Sequence, residues 1–348
     1  MIKSIHFQNF KALRDATLPL GPFTLIVGPN GSGKSTAMQA FSFVRNPRQY
    51  DYNKLVTAGL SAPDDIKVEL TQDLADSFTR KPAGPTSAVL HHPDWQDEDP
   101  QPPPDDLEPD YDPDAANYLS PLENALAGFK VYSFDAKSIA RPVGINAKPE
   151  LSQDGSGLVN VLDDLSDQEP ERWESLNREL NRWLPEFDHI TFERASNSTK
   201  IFQLRTALGH HKYNADDLSQ GTLFAVALLT LAYLKEPPAI VCFEEPDHGI
   251  HPRLLQNIRD AMYRLAYPKE FGGNREPVQV IATTHSPYLL DLYKEHPEEI
   301  VIAHKDEQGA HFSRLSDKAY ITEILEGGGA PLGEIWFSGI LGGVPSSP

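Results

Sequence analysis

The chain has little sulfur: one cysteine, Cys242, and three methionines in 348 residues. A single thiol cannot form an internal disulfide, and Cys242, set in an apolar run, reads as a buried, inert residue. Long hydrophobic runs are missing too. The longest, Leu223 to Leu234, falls short of the ~20 residues that a bilayer-spanning helix needs. The opening Met1-Ile2-Lys3-Ser4-Ile5-His6 has no secretory signal architecture. These absences set the expectation of a cytoplasmic protein without membrane contact. Positive charge is also scarce, with 31 Lys and Arg against 50 Asp and Glu, a net charge of −19. This excludes a uniformly cationic, DNA-coating surface, because nonspecific affinity comes from neutralising phosphates. Much of the deficit is local, however. No Lys or Arg lies between Pro82 and Phe129, while Asp94 to Asp114 is crowded with acids. The acidic, Pro-rich segment 91–114 reads as a mobile, solvated loop. A basic patch using Arg45, Arg48, Lys54, Arg80 and Lys81 stays open.

The strongest positive signal is Gly28-Pro29-Asn30-Gly31-Ser32-Gly33-Lys34-Ser35-Thr36. It fits G-x-x-x-x-G-K-[ST], follows the apolar run Phe23 to Val27, and opens into a helical pattern at Met38-Gln39-Ala40-Phe41. Strand, loop and helix in that order are the setting of a phosphate-binding loop. Glycines let successive N–H groups point at the phosphates, and the helix N-terminus adds partial positive charge. Lys34 neutralises the terminal phosphates and the Ser35 hydroxyl is placed to ligate Mg²⁺. The chain is read as binding a nucleoside triphosphate.

Two more apolar strands end in chemistry. Ala239 to Phe243 leads into Glu244-Glu245-Pro246-Asp247, and Val278 to Thr284 leads into His285-Ser286-Pro287. Carboxylates at the C-terminal tip of a buried parallel strand stand where α/β proteins place ligands. Glu244 is assigned to Mg²⁺, Glu245 to polarising the attacking water, and His285 to the terminal phosphate or that water. Leu218-Ser219-Gln220-Gly221-Thr222 precedes the apolar helix from Leu223; Ser219 caps it, and Gly221 allows a phosphate close to the backbone. Helices are expected at 158–165 and 171–184, a strand at 66–70, and an antiparallel strand pair at 190–193 and 201–204. His91, His92, His210 and His211 meet no zinc spacing and receive no role.

These elements, in this order, resemble ATP-binding-cassette ATPase heads, most closely the soluble branch that includes RecF, the SMC and Rad-type repair heads, and the OLD-family ATPases. Gly28–Thr36 matches Walker A, Leu218-Ser219-Gln220-Gly221 the signature motif, Ala239–Glu245 Walker B, Pro246–Pro252 the D-loop region, and His285 the switch histidine. Ile5 to Leu13 is similar to the start of that branch. The resemblance implies an α/β fold, a P-loop NTPase mixed sheet flanked by helices. Its core would be split between residues 1–45 and 213–348, with an inserted helical and β lobe at 46–212. It also implies a head-to-tail homodimer with two ATP molecules held between Walker A of one subunit and Ser219 and Gly221 of the other. Departures are present. Glu244 stands where aspartate is common, and the Q-loop glutamine has only Gln72 as a candidate. There is no long coiled coil, and no Toprim-like nuclease domain is expected after residue 305. The apolar tail Gly333 to Gly343 either tucks into the core or offers Trp336 and Phe337 to a partner.

The leading expectation is an ATPase, hydrolysing ATP to ADP and phosphate, that acts as a dimerising switch for a separately encoded effector such as a nuclease or toxin. Compact ATPases of bacterial phage-defence and retron-type systems work in this way. The alternative is a RecF-like DNA-repair clamp on duplex DNA. A nucleotide-sensing scaffold that scarcely hydrolyses ATP is the reading from another class, opposed by Glu245 and His285.

Overall fold

Five strands carry apolar side chains on both faces, and that pattern organises the protein. The computed structural model describes residues 1–45, 67–72, 86–89, 128–145, 147–318 and 330–342. The acidic loop 91–114 and Arg48, Lys54, Arg80 and Lys81 lie outside the described residues, as do the side chains of Arg45 and Gln72.

The central sheet has six strands. In chain order its members are β3 (Phe23–Val27), β6 (Phe129–Tyr132), β11 (Ile240–Glu244), β12 (Gln279–Thr284), β13 (Ile300–Asp306) and β14 (Gly309–Arg314). Across the sheet they run β14-β13-β3-β12-β11-β6, all parallel except β14. Alternate residues along each strand feed two different cores. Phe23, Leu25, Val27, Val241, Phe243, Val280 and Ala282 face one. Ile26, Ile240, Cys242, Ile281 and Val301 face the other. Burial drives the Cys242 thiol well above its ordinary pKa, which keeps it protonated and unreactive.

On the second core lie α1 (Lys34–Arg45) and an antiparallel sheet of order β2-β1-β4-β5, made of β1 (Ile2–Phe10), β2 (Leu13–Pro19), β4 (Lys67–Gln72) and β5 (Thr86–Val89). On the first core lie α2 (Ala136–Ile139), α3 (Leu158–Gln168), α4 (Pro170–Trp183), α5 (Gln220–Tyr233) and α6 (Leu255–Ala266). A small antiparallel sheet, β7 (Val143–Gly144), β8 (Phe187–Arg194), β9 (Thr199–Thr206) and β10 (Lys212–Asn214), packs beside α4. The amphipathic α4 turns Trp173, Leu176, Leu180 and Trp183 inward. Its Asn177 accepts the Ile190 N–H at 2.7 Å and so fixes β8 on the helix. The expected helices and the 190–204 strand pair are present.

The segment 46–212, expected as one inserted lobe, is divided in the structure. β4 is hydrogen-bonded to β1, and β6 closes the edge of the central sheet beside β11. Local periodicity shows that a strand exists but not which strand it pairs with. The C-terminal helix α8 (Leu332–Phe337) seats on α7 (Pro287–Asp291), where Gly333 N–H donates to Asp291 Oδ1 at 2.6 Å. Trp336 is buried and Phe337 is exposed, so the tail tucks in through one ring only.

Gln279, at the start of β12, is 2% exposed. Its Oε1 accepts the Ile2 N–H at 2.9 Å, while its Nε2 donates to Ile2 O at 2.6 Å and Gly21 O at 2.9 Å. One side chain therefore clamps the first strand to the central sheet. Gln279→Leu strands three buried backbone groups and should destabilise the protein by about 3 kcal/mol in urea unfolding; a loss below about 1 kcal/mol would disprove the clamp.

Glu299 is buried among Tyr263 and Tyr267, whose hydroxyls donate to its carboxylate. Burial nonetheless raises its pKa above the ordinary 4.5. The folded state then holds this proton more tightly than the unfolded state. Its stabilising contribution is full below pH 4.5 and is lost as pH rises through the elevated folded value. Glu299→Gln should remove that part of the stability–pH slope, measured as wild type minus variant across the window; parallel curves would refute it.

Candidate active site

β3 ends at Val27, and the chain then turns through residues 28–33 into α1. A Cβ at Gly28 would lie 2.4 Å from Ala303 O on β13 and 2.7 Å from Ser32 Oγ, so the loop is pressed against the neighbouring strand. Gly33 has φ +98, and a Cβ there would meet that of Ala310 at 2.8 Å. Both the left-handed backbone and the close approach require glycine. Asn30, Gly31 and Ser35 are exposed and Thr36 is half-buried.

Lys34 is 5% exposed, with Nζ donating to Gly28 O at 2.6 Å and Pro29 O at 3.0 Å. The ammonium thus lies across the mouth of its own loop. Burial lowers its pKa, and the facing Glu245 carboxylate opposes that shift. The Ser32 hydroxyl is buried with no hydrogen-bond partner among the described residues. A loop with a buried cation, an orphaned hydroxyl and the open N–H groups of a helix start fits a chain of phosphates.

The tip of β11 supplies the carboxylates. The nearby Ser133 and Ser35 hydroxyls favour the charged form of Glu244, yet its pKa is raised, chiefly by burial, with Glu245 adding repulsion. Ser35, Ser133, Glu244, Glu245 and His248 line one cleft of about 280 Å³. One carboxylate and two hydroxyls suit Mg²⁺, which keeps several waters and phosphate oxygens as ligands. Ser133 went unrecognised in the sequence. It follows the last residue of β6, and the register Phe243 opposite Tyr132 brings it level with Glu244.

Glu245 has φ 47, a left-handed backbone rare for this residue type. Its N–H donates to Thr283 O at 3.1 Å and lies 3.2 Å from Thr283 Oγ1, which pins the turn to β12. Its Oε1 is 3.1 Å from His285 Nδ1. Behind it, Asp247 Oδ2 accepts from Thr284 Oγ1 at 3.0 Å, while the buried Oδ1 has no partner among the described residues. Burial raises the Asp247 pKa.

Ser219 caps α5, accepting the Thr222 N–H at 3.1 Å, and is itself exposed. Gly221 is buried, and a Cβ there would lie 2.9 Å from Gly249 O. The segment at the start of α5 therefore packs on the loop that follows β11. No hydrogen bond among the described residues joins Ser219 or Gly221 to Gly28–Thr36. One chain thus brings together Lys34, Ser35, Glu244, Glu245 and His285, and leaves Ser219 facing outward.

Residues 23–291 match the family described as "AAA domain, putative AbiEii toxin, Type IV TA system". The chain belongs to this family, AAA_21. Its members carry the P-loop NTPase domain whose loop, strand tips and helices are described above. The OLD nuclease of Thermus scotoductus (strain ATCC 700910 / SA-01) is 52% identical over 44 residues, 13% of this chain and 8% of that protein. The match therefore spans a small part of that relative's length. Among solved structures, an Smc head bound to the C-winged helix domain of ScpA superposes with a TM-score of 0.54 at 15% identity, covering 90% of this chain and 96% of that one. The Smc head with an extended coiled coil, bound to the C-terminal domain of ScpA from Pyrococcus furiosus, gives 0.50 at 13% identity over 93% and 99%. At such identities the likeness is one of fold, and the AAA_21 chain has the fold of an SMC-type ATPase head.

ATP with Mg²⁺ should raise the melting temperature of the wild type by mass action. In Lys34→Ala that shift should disappear, because the only buried cation of the loop is gone. A full nucleotide shift in the variant would show that the loop holds no phosphate.

Proposed function

We propose that this protein is an ATP-hydrolysing switch. Two copies close head to tail around ATP, and the closed or open state is read by a separately encoded effector, a nuclease or toxin, in bacterial phage defence. The observation that carries the proposal is the Glu245–His285 pair, held by a strained backbone at the strand tip beside Lys34. Backbone strain of this kind is kept where a side chain must be aimed.

Lys34 and the loop N–H groups hold the phosphates. Glu245 orients the attacking water and accepts its proton, and His285 fixes the Glu245 carboxylate and faces the terminal phosphate. Ser35, Glu244 and Ser133 hold Mg²⁺, which when bound offsets phosphate charge. The exposed Ser219 serves the nucleotide of the second copy. The family description speaks of a putative toxin of a Type IV TA system, a two-component setting that fits a chain working with a second protein. The nuclease relative offers a second reading, a clamp on duplex DNA.

Glu245→Gln should lower kcat at least 100-fold, the lower end of what a general base contributes, and should accumulate as a dimer by light scattering in ATP·Mg²⁺. A variant that stays monomeric in ATP would sink the switch reading. Duplex DNA that shifts wild-type turnover and binds the trapped dimer would favour the clamp over the protein effector.

A further inference from the structure

A second cleft, of about 290 Å³, lies between α4 and the C-terminal ends of α5 and α6. Arg172, Arg264 and Arg275 line it, and Glu171 is the only carboxylate among its described lining residues. In a chain with a net charge of −19, three guanidinium groups facing one acid is a local reversal of sign.

The partners of each arginine sharpen this. Arg275 donates to Ala232 O at 3.0 Å, Leu234 O at 3.3 Å and Arg264 O at 2.6 Å, all backbone carbonyls at helix ends. Its charge meets no carboxylate among the described residues. Burial, with Arg172 and Arg264 alongside, pulls its pKa down to about 10. Arg264 sits between two rings, its guanidinium carbon 4.9 Å from the Tyr233 centroid and 5.0 Å from that of Phe271. No described hydrogen bond or ion pair engages its N–H groups. Arg172 reaches Glu169 only at 3.7 Å, and Lys235 already holds that acid at 2.8 Å.

Helix-end capping accounts for Arg275 but not for Arg172 or Arg264. Stacking on aromatic faces leaves the edge of a guanidinium, with its N–H donors, pointing outward in a fixed plane. A planar, rigid, unpaired donor set beside a second arginine and a half-buried third is suited to tetrahedral oxyanions. We propose that this cleft is a phosphate-binding site separate from the nucleotide loop, with Arg172 and Arg264 as its direct ligands and Arg275 as a fixed positive floor. The phosphate belongs either to a small phosphate or diphosphate compound or to a nucleic-acid backbone.

The test uses the full chain carrying Lys34→Ala, so that the nucleotide loop does not compete. Titration calorimetry at low salt is run with inorganic pyrophosphate and with a single-stranded oligonucleotide. At least one probe should bind, and Arg172→Gln with Arg264→Gln should weaken that binding tenfold or more while the unligated melting curve is kept. Binding of pyrophosphate alone identifies a small-molecule source. Tighter oligonucleotide binding, with a log–log salt slope that falls by about 1.4 in the double variant, identifies the backbone, since each single-strand phosphate contact contributes about 0.7. Binding of neither probe, or equal affinity in the double variant, overturns the proposal. Should the double variant not fold, Arg172→Gln alone, at the rim of the cleft, should weaken binding at least threefold; unchanged affinity there overturns the proposal equally.

Discussion

Burial of the central sheet on both faces is the constraint on which everything else depends. A strand such as β3, wholly buried from Phe23 to Val27, has no place for an ionised side chain along its length. Charge is admitted only where the strands end. The parallel register then brings those ends to one level: Val27 pairs with Thr284, and Glu244 with Thr283. The phosphate loop, the two glutamates and His285 are neighbours because the hydrophobic ladder stops at one level on three adjacent strands.

The electrostatics of the site follow from that placement. Glu244 and Asp247 are pushed towards protonation by burial, and Lys34 towards deprotonation. Each group is thus held away from its comfortable ionisation state by the low-dielectric surroundings that a triphosphate and a divalent cation would complete. The tyrosine-lined Glu299 sits under the same desolvation far from any strand-tip chemistry. A shifted carboxylate in this protein gains functional meaning only from its position at the strand ends.

Much of this was legible in the sequence. Gly28 to Thr36, the acids after Phe243, the histidine after Thr284 and the cap at Ser219 are local patterns, and each stands where its pattern put it. What was not legible depends on pairing between distant residues. Only the register of β6 beside β11 makes Ser133 a neighbour of Glu244. Gln279 looks like a polar residue at a strand start until Ile2 and Gly21 arrive to meet it. Gly221, read as leaving room for a phosphate, is in this structure closed against Gly249.

Both ends of the described chain converge on one strand. β1 is tied to the first residue of β12 through Gln279, and α8 rests on α7, which begins three residues beyond the last residue of β12. β12 is flanked on both sides by parallel neighbours whose ladder bonds lie across its axis. Tension applied between these two attachments would load β12 lengthwise, in shear, so that the bonds to β3 and β11 share the force instead of opening one at a time. The strand that positions His285 is thereby also built to carry mechanical load.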